Sequence, residues 1–91
     1  MKNYEKMLMV ITNAISNNEP IMIAKIEDDN IIPTKWITPR SVSAFEGGWR
    51  DDRVIVQVFA NGEGDHYYDS RSYWFYDLAD GFRIWNNNSE N

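Results

Sequence analysis

The chain has 91 residues, with no cysteine, one histidine and 14 acidic against 9 basic residues, which give a net charge of −5. This composition excludes disulfides, a cysteine-based zinc site and a multi-histidine metal centre. The cations are scattered, whereas direct binding to a nucleic-acid backbone needs clustered lysine and arginine, so no such binding is expected.

The supply of apolar residues is enough for the core of one small domain. Hydrophobic residues make up 43% of the chain and aromatic residues 14%, and each aromatic side chain buries roughly 150–250 Å². No apolar run approaches the roughly 18 residues of a membrane span, and the apolar N-terminal segment lacks the cleavage site of a signal peptide. We therefore expect one soluble, cytoplasmic domain over residues 1–85, with no cofactor and no membrane contact.

The first predicted element is an amphipathic helix over residues 4–17. Asn3 is its predicted N-cap, and Pro20 ends it because the residue before a proline disfavours the helical conformation. The apolar side chains recur at spacings of three and four, which places them on one face: Tyr4, Met7, Leu8, Ile11 and Ile15.

Short β-rich runs bounded by turn residues follow the helix. They predict strands at about 21–26, 31–37, 41–45, 53–60, 71–78 and 82–85. The turn residues "EDDN" join the first two strands as a hairpin, and Pro33 requires an edge position or a bulge because it cannot donate a ladder hydrogen bond. Residues 53–60 are apolar on both faces and predict a central strand.

The remaining residues are predicted to form loops. Residues 46–52 form a glycine-containing loop, residues 61–70 a polar loop and residues 86–91 a disordered tail. One helix followed by five or six short strands predicts an α+β fold. We expect the N-terminal amphipathic helix to precede a small, strongly bent antiparallel sheet or an SH3/Sm-like barrel.

The order of these segments resembles that of the WYL domain family and its short phage-type relatives. The matching stretches, over about residues 4–85, include "IMIAKI", "TKWITPRSV", "RVIVQVFA" and "SYWFYDLADGFRI". The resemblance implies an Sm/SH3-like barrel preceded by a helix, and a phage or prophage origin. The Trp-Tyr-Leu triplet of the family is absent, and Asp77 and Asp80 stand near the place of its basic residues. The family's binding of nucleic acid or nucleotide-like ligands is therefore not carried over.

Acidic residues cluster at residues 27–29, at residues 51–52 and within residues 63–69. One interpretation is a set of solvated turns that keep a small domain in solution. The other is a negative surface that docks on a basic partner. The sequence leaves both open.

The candidate binding residues lie in the two longer loops and at the start of the strand between them: Trp49, Arg50, Arg53, His66, Tyr67 and Tyr68. A loop tryptophan beside arginine has the composition of a binding hot spot, or of a platform on which a base stacks. If the two loops project from the same end of the barrel, these residues form one surface. The alternative is that the tryptophans belong to the core and the arginines pair with neighbouring acids.

No residue pattern predicts catalysis. A nucleophile needs a base that is itself oriented, and the lone His66 lies among acids in a polar loop. The oxygen ligands of residues 61–70 would allow a loose calcium site, but their spacing does not match an EF-hand. We predict no enzyme activity and no metal.

The predicted function is therefore binding. We expect a small acidic protein, a phage or prophage accessory factor that docks on and modulates a host protein with a basic surface, such as a nucleic-acid enzyme. An alternative is a module that captures a nucleotide-like ligand at the aromatic and arginine residues. A third is a structural or oligomeric component, so a homodimer is left open.

Overall fold

The computed structural model describes residues 2–46, 54–60 and 64–89, with side chains up to residue 87 in the last helix. Within these ranges the elements follow in the order α1 (Asn3–Asn17), β1 (Ile21–Glu27), β2 (Asn30–Ile37), β3 (Pro39–Glu46), β4 (Val54–Ala60), β5 (Gly64–Asp69), β6 (Tyr73–Tyr76) and α2 (Leu78–Ser89). Neither of these two helices is long and apolar enough to cross a membrane.

The described strands form two antiparallel three-stranded sheets. Sheet A has the order β2-β1-β6 and sheet B the order β3-β4-β5. The chain crosses from sheet A to sheet B at Thr38 and returns through residues 70–72. This architecture confirms the predicted α+β class with an N-terminal helix. The alternative of a closed barrel is wrong, because the ladders of the described strands remain within each sheet.

Helix α1 confirms the first predicted element but begins one residue earlier. Lys2 is the N-cap and not Asn3, because the Glu5 carboxylate accepts the Lys2 backbone N–H at 3.0 Å. An acid in the first turn also suits the positive end of the helix dipole. The helix ends at Asn18, whose left-handed φ of 54° returns its N–H to the Ile15 carbonyl at 3.2 Å.

The β1–β2 hairpin follows the prediction. Asp28 and Asp29 form its two-residue turn with φ values of 49° and 65°, which the twist of a tight hairpin favours and aspartate tolerates. β2 is an edge strand of sheet A, and the ladder register shifts beside Pro33. At this bulge the Thr34 hydroxyl donates to the Ile23 carbonyl at 2.7 Å. Both consequences expected from the proline are present.

The core lies between the two sheets. It is formed by alternate strand residues and by one face of α1: Met7, Ile11, Ala14, Ile21, Ile23, Ile37, Val56, Val58, Ala60, Tyr68 and Phe75. The Tyr68 ring meets those of Tyr73 and Phe75 edge to face, with centroids 5.2 Å apart in each pair, an arrangement that aromatic rings prefer. Because alternate residues point inward, the core also fixes which residues of each sheet point outward.

Helix α2 packs on the face of sheet A that points away from the core. Gly81 lies so close to β1 that a Cβ added to it would come within 2.5 Å of the Met22 Cβ and 2.9 Å of the Trp36 ring. Met22 and Ala24 are fully buried although they alternate with core residues. β1 is therefore covered on both faces, which explains its uninterrupted apolar run.

The end of the chain differs from the prediction. The predicted strand over residues 82–85 is wrong, and so is the predicted disordered tail as far as residue 89, because both lie within α2. Residues 90 and 91 lie outside the described residues. The predicted strand over residues 71–78 is correspondingly shorter, since β6 contains only Tyr73–Tyr76.

Asp77 is the residue that decides this difference. Its carboxylate accepts the Asp80 backbone N–H at 2.9 Å, and its carbonyl accepts the Gly81 N–H at 2.7 Å. This is the geometry of an N-cap with its first helical turn. A four-residue apolar window such as "FRIW" does not distinguish strand from helix, whereas the cap does.

Sheet B departs from the prediction at β5. The predicted polar loop over residues 61–70 is wrong for most of its length, because Gly64–Asp69 pairs with β4 as a strand. Its polar composition reflects an edge strand with one face in water, which needs few apolar residues. β3 is longer than the predicted strand at 41–45, since Pro39 begins it. β4 is central in sheet B, as predicted.

Candidate functional site

Half of the predicted site falls outside the described residues. Trp49, Arg50 and Arg53 belong to the connection over residues 47–53, which joins the end of β3 to the start of β4. Nothing in the structure therefore tests their proposed role. The prediction that they form a binding surface stays a prediction.

The other three predicted residues lie in β5 and point to opposite faces of sheet B. Tyr67 points outward and is 58% exposed, whereas Tyr68 is buried in the core. His66 is half-buried on the same side as Tyr68, with the two rings stacked at a centroid distance of 6.2 Å. Of these three residues, only Tyr67 is placed to contact a partner without displacing core contacts.

The proposed common loop surface stays a prediction, because Trp49 and Arg50 lie outside the described residues. Within the described residues, β5 runs back toward the start of β4: Tyr68 pairs with Val56, and Asp69 pairs with Ile55.

The side of sheet B that points away from the core carries exposed aromatic rings. We call it the outer face and define it by the residues that alternate with the core residues of β3, β4 and β5: Ser41, Ser43, Phe45, Ile55, Gln57, Phe59, Asp65, Tyr67 and Asp69. Phe45 and Phe59 are 45% and 44% exposed. Together with Tyr67, they place three large rings in contact with water on this face of sheet B.

Hydrogen bonds and ring packing order the middle of this face. Ser43, Gln57 and Tyr67 are opposite one another across the three strands. The Ser43 hydroxyl donates to Gln57 Oε1 at 3.4 Å, and Gln57 Nε2 donates to the Tyr67 hydroxyl oxygen at 3.3 Å. The Phe45 and Tyr67 rings meet edge to face at a centroid distance of 6.3 Å. Tyr67 is therefore held from two sides, which lowers the entropy it would lose on binding.

No described helix covers the outer face. The buried residues of α1 belong to the core between the sheets, and α2 packs chiefly against the strands of sheet A. Contiguous exposed apolar surface is uncommon on proteins that do not use it and often marks an interaction site. The outer face is the strongest candidate for such a site in the described part of the chain.

The rim of the outer face is acidic along β5. Asp65 is exposed and lies opposite Phe59. Asp69 is held by Arg71, whose Nε and Nη2 donate to its two oxygens at 3.3 and 3.2 Å, so its charge is partly offset. The charged side chains of the outer face itself are thus the two aspartates, Asp65 and Asp69, in a chain whose net charge is −5.

Among the described strands, β5 is an edge strand of sheet B. It forms a ladder with β4 alone among them. Edge strands of this kind are templates for an added strand from another chain. Tyr67 belongs to the outer face and lies on this same edge strand.

A groove of about 540 Å³ adjoins the outer face at the N-terminal end of α1. Its lining combines two cations, Lys2 and Arg71, with the rings of Tyr4 and Phe45 and the acid Glu46. Glu46 is also the last described residue before the connection that contains Trp49. This groove is the nearest match in the structure to a pocket for an anionic aromatic ligand.

Sequence reasoning missed Phe45 and Phe59 as surface residues. Once Val56 and Val58 are assigned to the core, the period of two along β4 places Phe59 outside, and the pairing with β3 places Phe45 there. We expected both faces of β4 to be covered, which is wrong for the outer one. The alternation of residues along β4 contained this information, but it could be used only once the side of the sheet that faces the core was known.

Comparison with known proteins finds no matching family model, no similar curated protein and no similar solved structure. The resemblance to the WYL domain family is therefore untested and remains a prediction. In the described part of the chain, no three histidine, aspartate or glutamate side chains come together as a metal-binding group.

Proposed function

We propose that the protein is a non-catalytic binding protein whose outer face docks on another protein that presents basic and apolar side chains. The observation that carries this proposal is the set of three exposed aromatic rings, two of them in edge-to-face contact, on a sheet face that no described helix covers. Tyrosine is among the residues enriched at interface hot spots, and aromatic side chains are enriched at interfaces generally.

The shape of the outer face favours a protein over a small molecule. Small ligands bind in concave pockets that enclose most of their surface, whereas the outer face is one side of a three-stranded sheet. A flat face of this kind is matched by an extended surface, and the edge strand β5 adds backbone groups for a strand of the partner.

The charge favours a basic partner. The net charge of −5 and the exposed Asp65 at the rim would attract a positively charged surface and accelerate its approach. Host enzymes that act on nucleic acids have such surfaces. A phage or prophage factor that modulates one of them is the form of this proposal that we favour.

The test places a photo-crosslinking p-benzoylphenylalanine at position 67, with a second protein carrying it at position 9 as the control. Met9 is an exposed apolar residue of α1, on an element that does not contribute to the outer face. Proteins captured from a bacterial lysate by the first protein and not the second are then purified. Their affinity for the wild-type protein is measured at several salt concentrations.

Support requires saturable binding that weakens with salt and falls about tenfold or more in Phe45→Ser and Tyr67→Ser, as for hot-spot residues. Met9→Ser should bind like the wild type. A purified partner that binds the two outer-face variants and the wild type equally would refute the proposal, and so would capture that is equal from positions 67 and 9.

A second candidate is capture of a nucleotide-like ligand in the groove beside Lys2, Tyr4, Phe45 and Arg71. Its support is the combination of cations and rings in one concavity. We rank it second because Arg71 is engaged by Asp69, which reduces its attraction for phosphate. A thermal-shift series with nucleotides at low salt tests it: saturable stabilisation that Arg71→Gln abolishes would favour this candidate, and an unchanged Tm with every nucleotide would exclude it.

A further inference from the structure

Helix α2 leaves a stripe of three large apolar side chains partly exposed to water. Leu78, Phe82 and Trp85 are 44%, 60% and 41% exposed. Their spacing of four and three residues places them within roughly 60° of one another around the helix. Gly81, which faces sheet A, is next to this stripe around the helix. The apolar side of α2 therefore extends beyond the part that sheet A covers.

A groove of about 490 Å³ opens at the Leu78 end of this stripe, between α1 and the start of α2. Leu78 lines both the stripe and the groove. The other apolar lining includes Val10, Ala14 and Pro20, and the two charged lining residues are both acidic, Glu19 and Asp77. The Asp77 carboxylate accepts a hydrogen bond from the Asp80 backbone N–H at 2.9 Å, which fixes the orientation of the Asp77 side chain.

We infer that the α2 stripe and this groove form one docking site for a short amphipathic segment of a partner protein, whose apolar side chains cover the stripe and whose lysine or arginine enters the groove. The stripe from Leu78 to Trp85 is roughly 10 Å long at 1.5 Å per residue. A partner helix with apolar residues at positions i, i+4 and i+7 matches this length, with the cation about one turn beyond. The apolar walls would hold the methylene stem of the cation and the carboxylates its charged head.

The charge pattern argues against a second copy of this chain as the occupant. Arg83, the one cation of the described part of α2, lies on the opposite side of the helix from the stripe, and Lys2 and Lys6 are at the far end of α1. A second α2 would therefore bring no cation to Glu19 and Asp77. Two chains of charge −5 also repel each other.

This site is distinct from the outer face and extends the proposed function. α2 packs on the side of sheet A away from the core, whereas the outer face is the side of sheet B away from the core. The two surfaces thus lie on opposite sides of the protein. Both partners can bind at the same time, as an adaptor requires.

The test uses three synthetic amphipathic helical peptides with the same apolar residues at i, i+4 and i+7 and with arginine, glutamine or glutamate one turn beyond them. Binding to the full chain is followed by chemical-shift changes of backbone amides. We expect the arginine peptide to shift residues 13–19 and 77–86. At low salt it should bind about fivefold more tightly than the glutamine peptide, as one exposed ion pair allows, and the glutamate peptide should bind most weakly.

Two sets of variants separate the apolar and charged contributions. Phe82→Ser and Trp85→Ser should abolish binding of all three peptides. Glu19→Gln combined with Asp77→Asn, which keeps a side-chain oxygen for the cap, should leave apolar binding intact and remove the preference for arginine. Tyr67→Ser is the control and should change nothing, so failure at this site is distinguishable from failure of the outer face.

Three results would overturn the inference. The first is equal affinity for the arginine and glutamate peptides, and the second is the absence of shifts in α2 at millimolar peptide. The third is sedimentation that depends on protein concentration in the wild type and is lost in Phe82→Ser, because the stripe would then be covered by a second copy.

Discussion

Replacing Gly81 by alanine should destabilise the protein, although alanine is the better helix former. In an exposed helix interior this change stabilises by about 1 kcal/mol. At Gly81, however, the new Cβ would lie 2.5 Å from the Met22 Cβ and 2.9 Å from the Trp36 ring. Carbon atoms in contact are usually separated by about 3.5–4.0 Å, so α2 must move away by roughly 1 Å.

The size of the effect follows from which atoms collide. The Met22 Cβ is bonded to the main chain of the central strand of sheet A, so no change of side-chain rotamer removes the overlap. Overpacking of this kind lowers the free energy of unfolding by about 1–3 kcal/mol. Because the new Cβ meets another Cβ directly, we expect a loss near the upper end of this range. After subtracting the propensity gain of about 1 kcal/mol, we expect a net loss of about 2 kcal/mol, or roughly 8–16 °C in Tm.

Urea unfolding followed by circular dichroism measures this difference from the midpoint at a constant m-value. The matched control is the pair Arg83→Ala and Arg83→Gly, two residues further along the same helix at an exposed position. There alanine should be the more stable variant by about 1 kcal/mol. If Gly81→Ala is stabilising by the same amount as this pair, α2 does not pack closely on β1.

Four further predictions concern other parts of the fold. Phe75→Ala should lower the free energy of unfolding by about 3–5 kcal/mol because the ring is fully buried, whereas Phe59→Ala on the outer face should lower it by about 1 kcal/mol, the range of β-propensity; equal losses in urea unfolding would contradict the assignment of the two faces. Thr34→Val removes the hydroxyl that donates to a main-chain carbonyl at the bulge and should lower the free energy of unfolding by about 1 kcal/mol, with no loss indicating that the bond does not contribute. Asn18→Ala should cost about 1 kcal/mol because the helix ends there at a φ of 54°, and the same position changed to glycine should not. The pKa of Tyr76 is raised, first by burial and then by the nearby Asp80; its contribution to stability is thus complete below the pKa of an unfolded tyrosine, about 10, and is lost as the pH rises through the higher folded value. Ultraviolet titration should include a component that ionises above the pH expected for an unfolded tyrosine, and Tyr76→Phe should remove that component; an unchanged titration would contradict the expected shift.

Where the signal is local, the elements could be predicted from the sequence. The spacing of apolar residues in α1 is a property of that segment alone, and Pro33 cannot donate a hydrogen bond in any fold. The hairpin at Asp28 and Asp29 is equally local, because it depends on two residues that tolerate positive φ. All three predictions are confirmed.

The candidate site was less predictable, because its residues are defined by pairing and not by type. Tyr67 and Tyr68 are adjacent and identical in chemistry, yet one is exposed and the other is in the core. Which of them faces outward depends on the register of β5 against β4, and a shift of one residue would exchange them. Phe45 joins the same surface only through the ladder between β3 and β4.

Four features could be predicted without tertiary contacts, because helical periodicity, turn chemistry and β-branched runs act over a few residues: the α+β class, α1, the first hairpin and the central place of β4 within its sheet. Only the tertiary structure decided that "GDHYYD" is a strand, that the residues after Asp77 form a helix, and which aromatic rings remain in water. The physical reason is that burial is a property of the elements that cover a residue. A segment of mixed polarity becomes strand, helix or loop according to the sheet edge or face available to it, and that surface is built by residues distant in the chain.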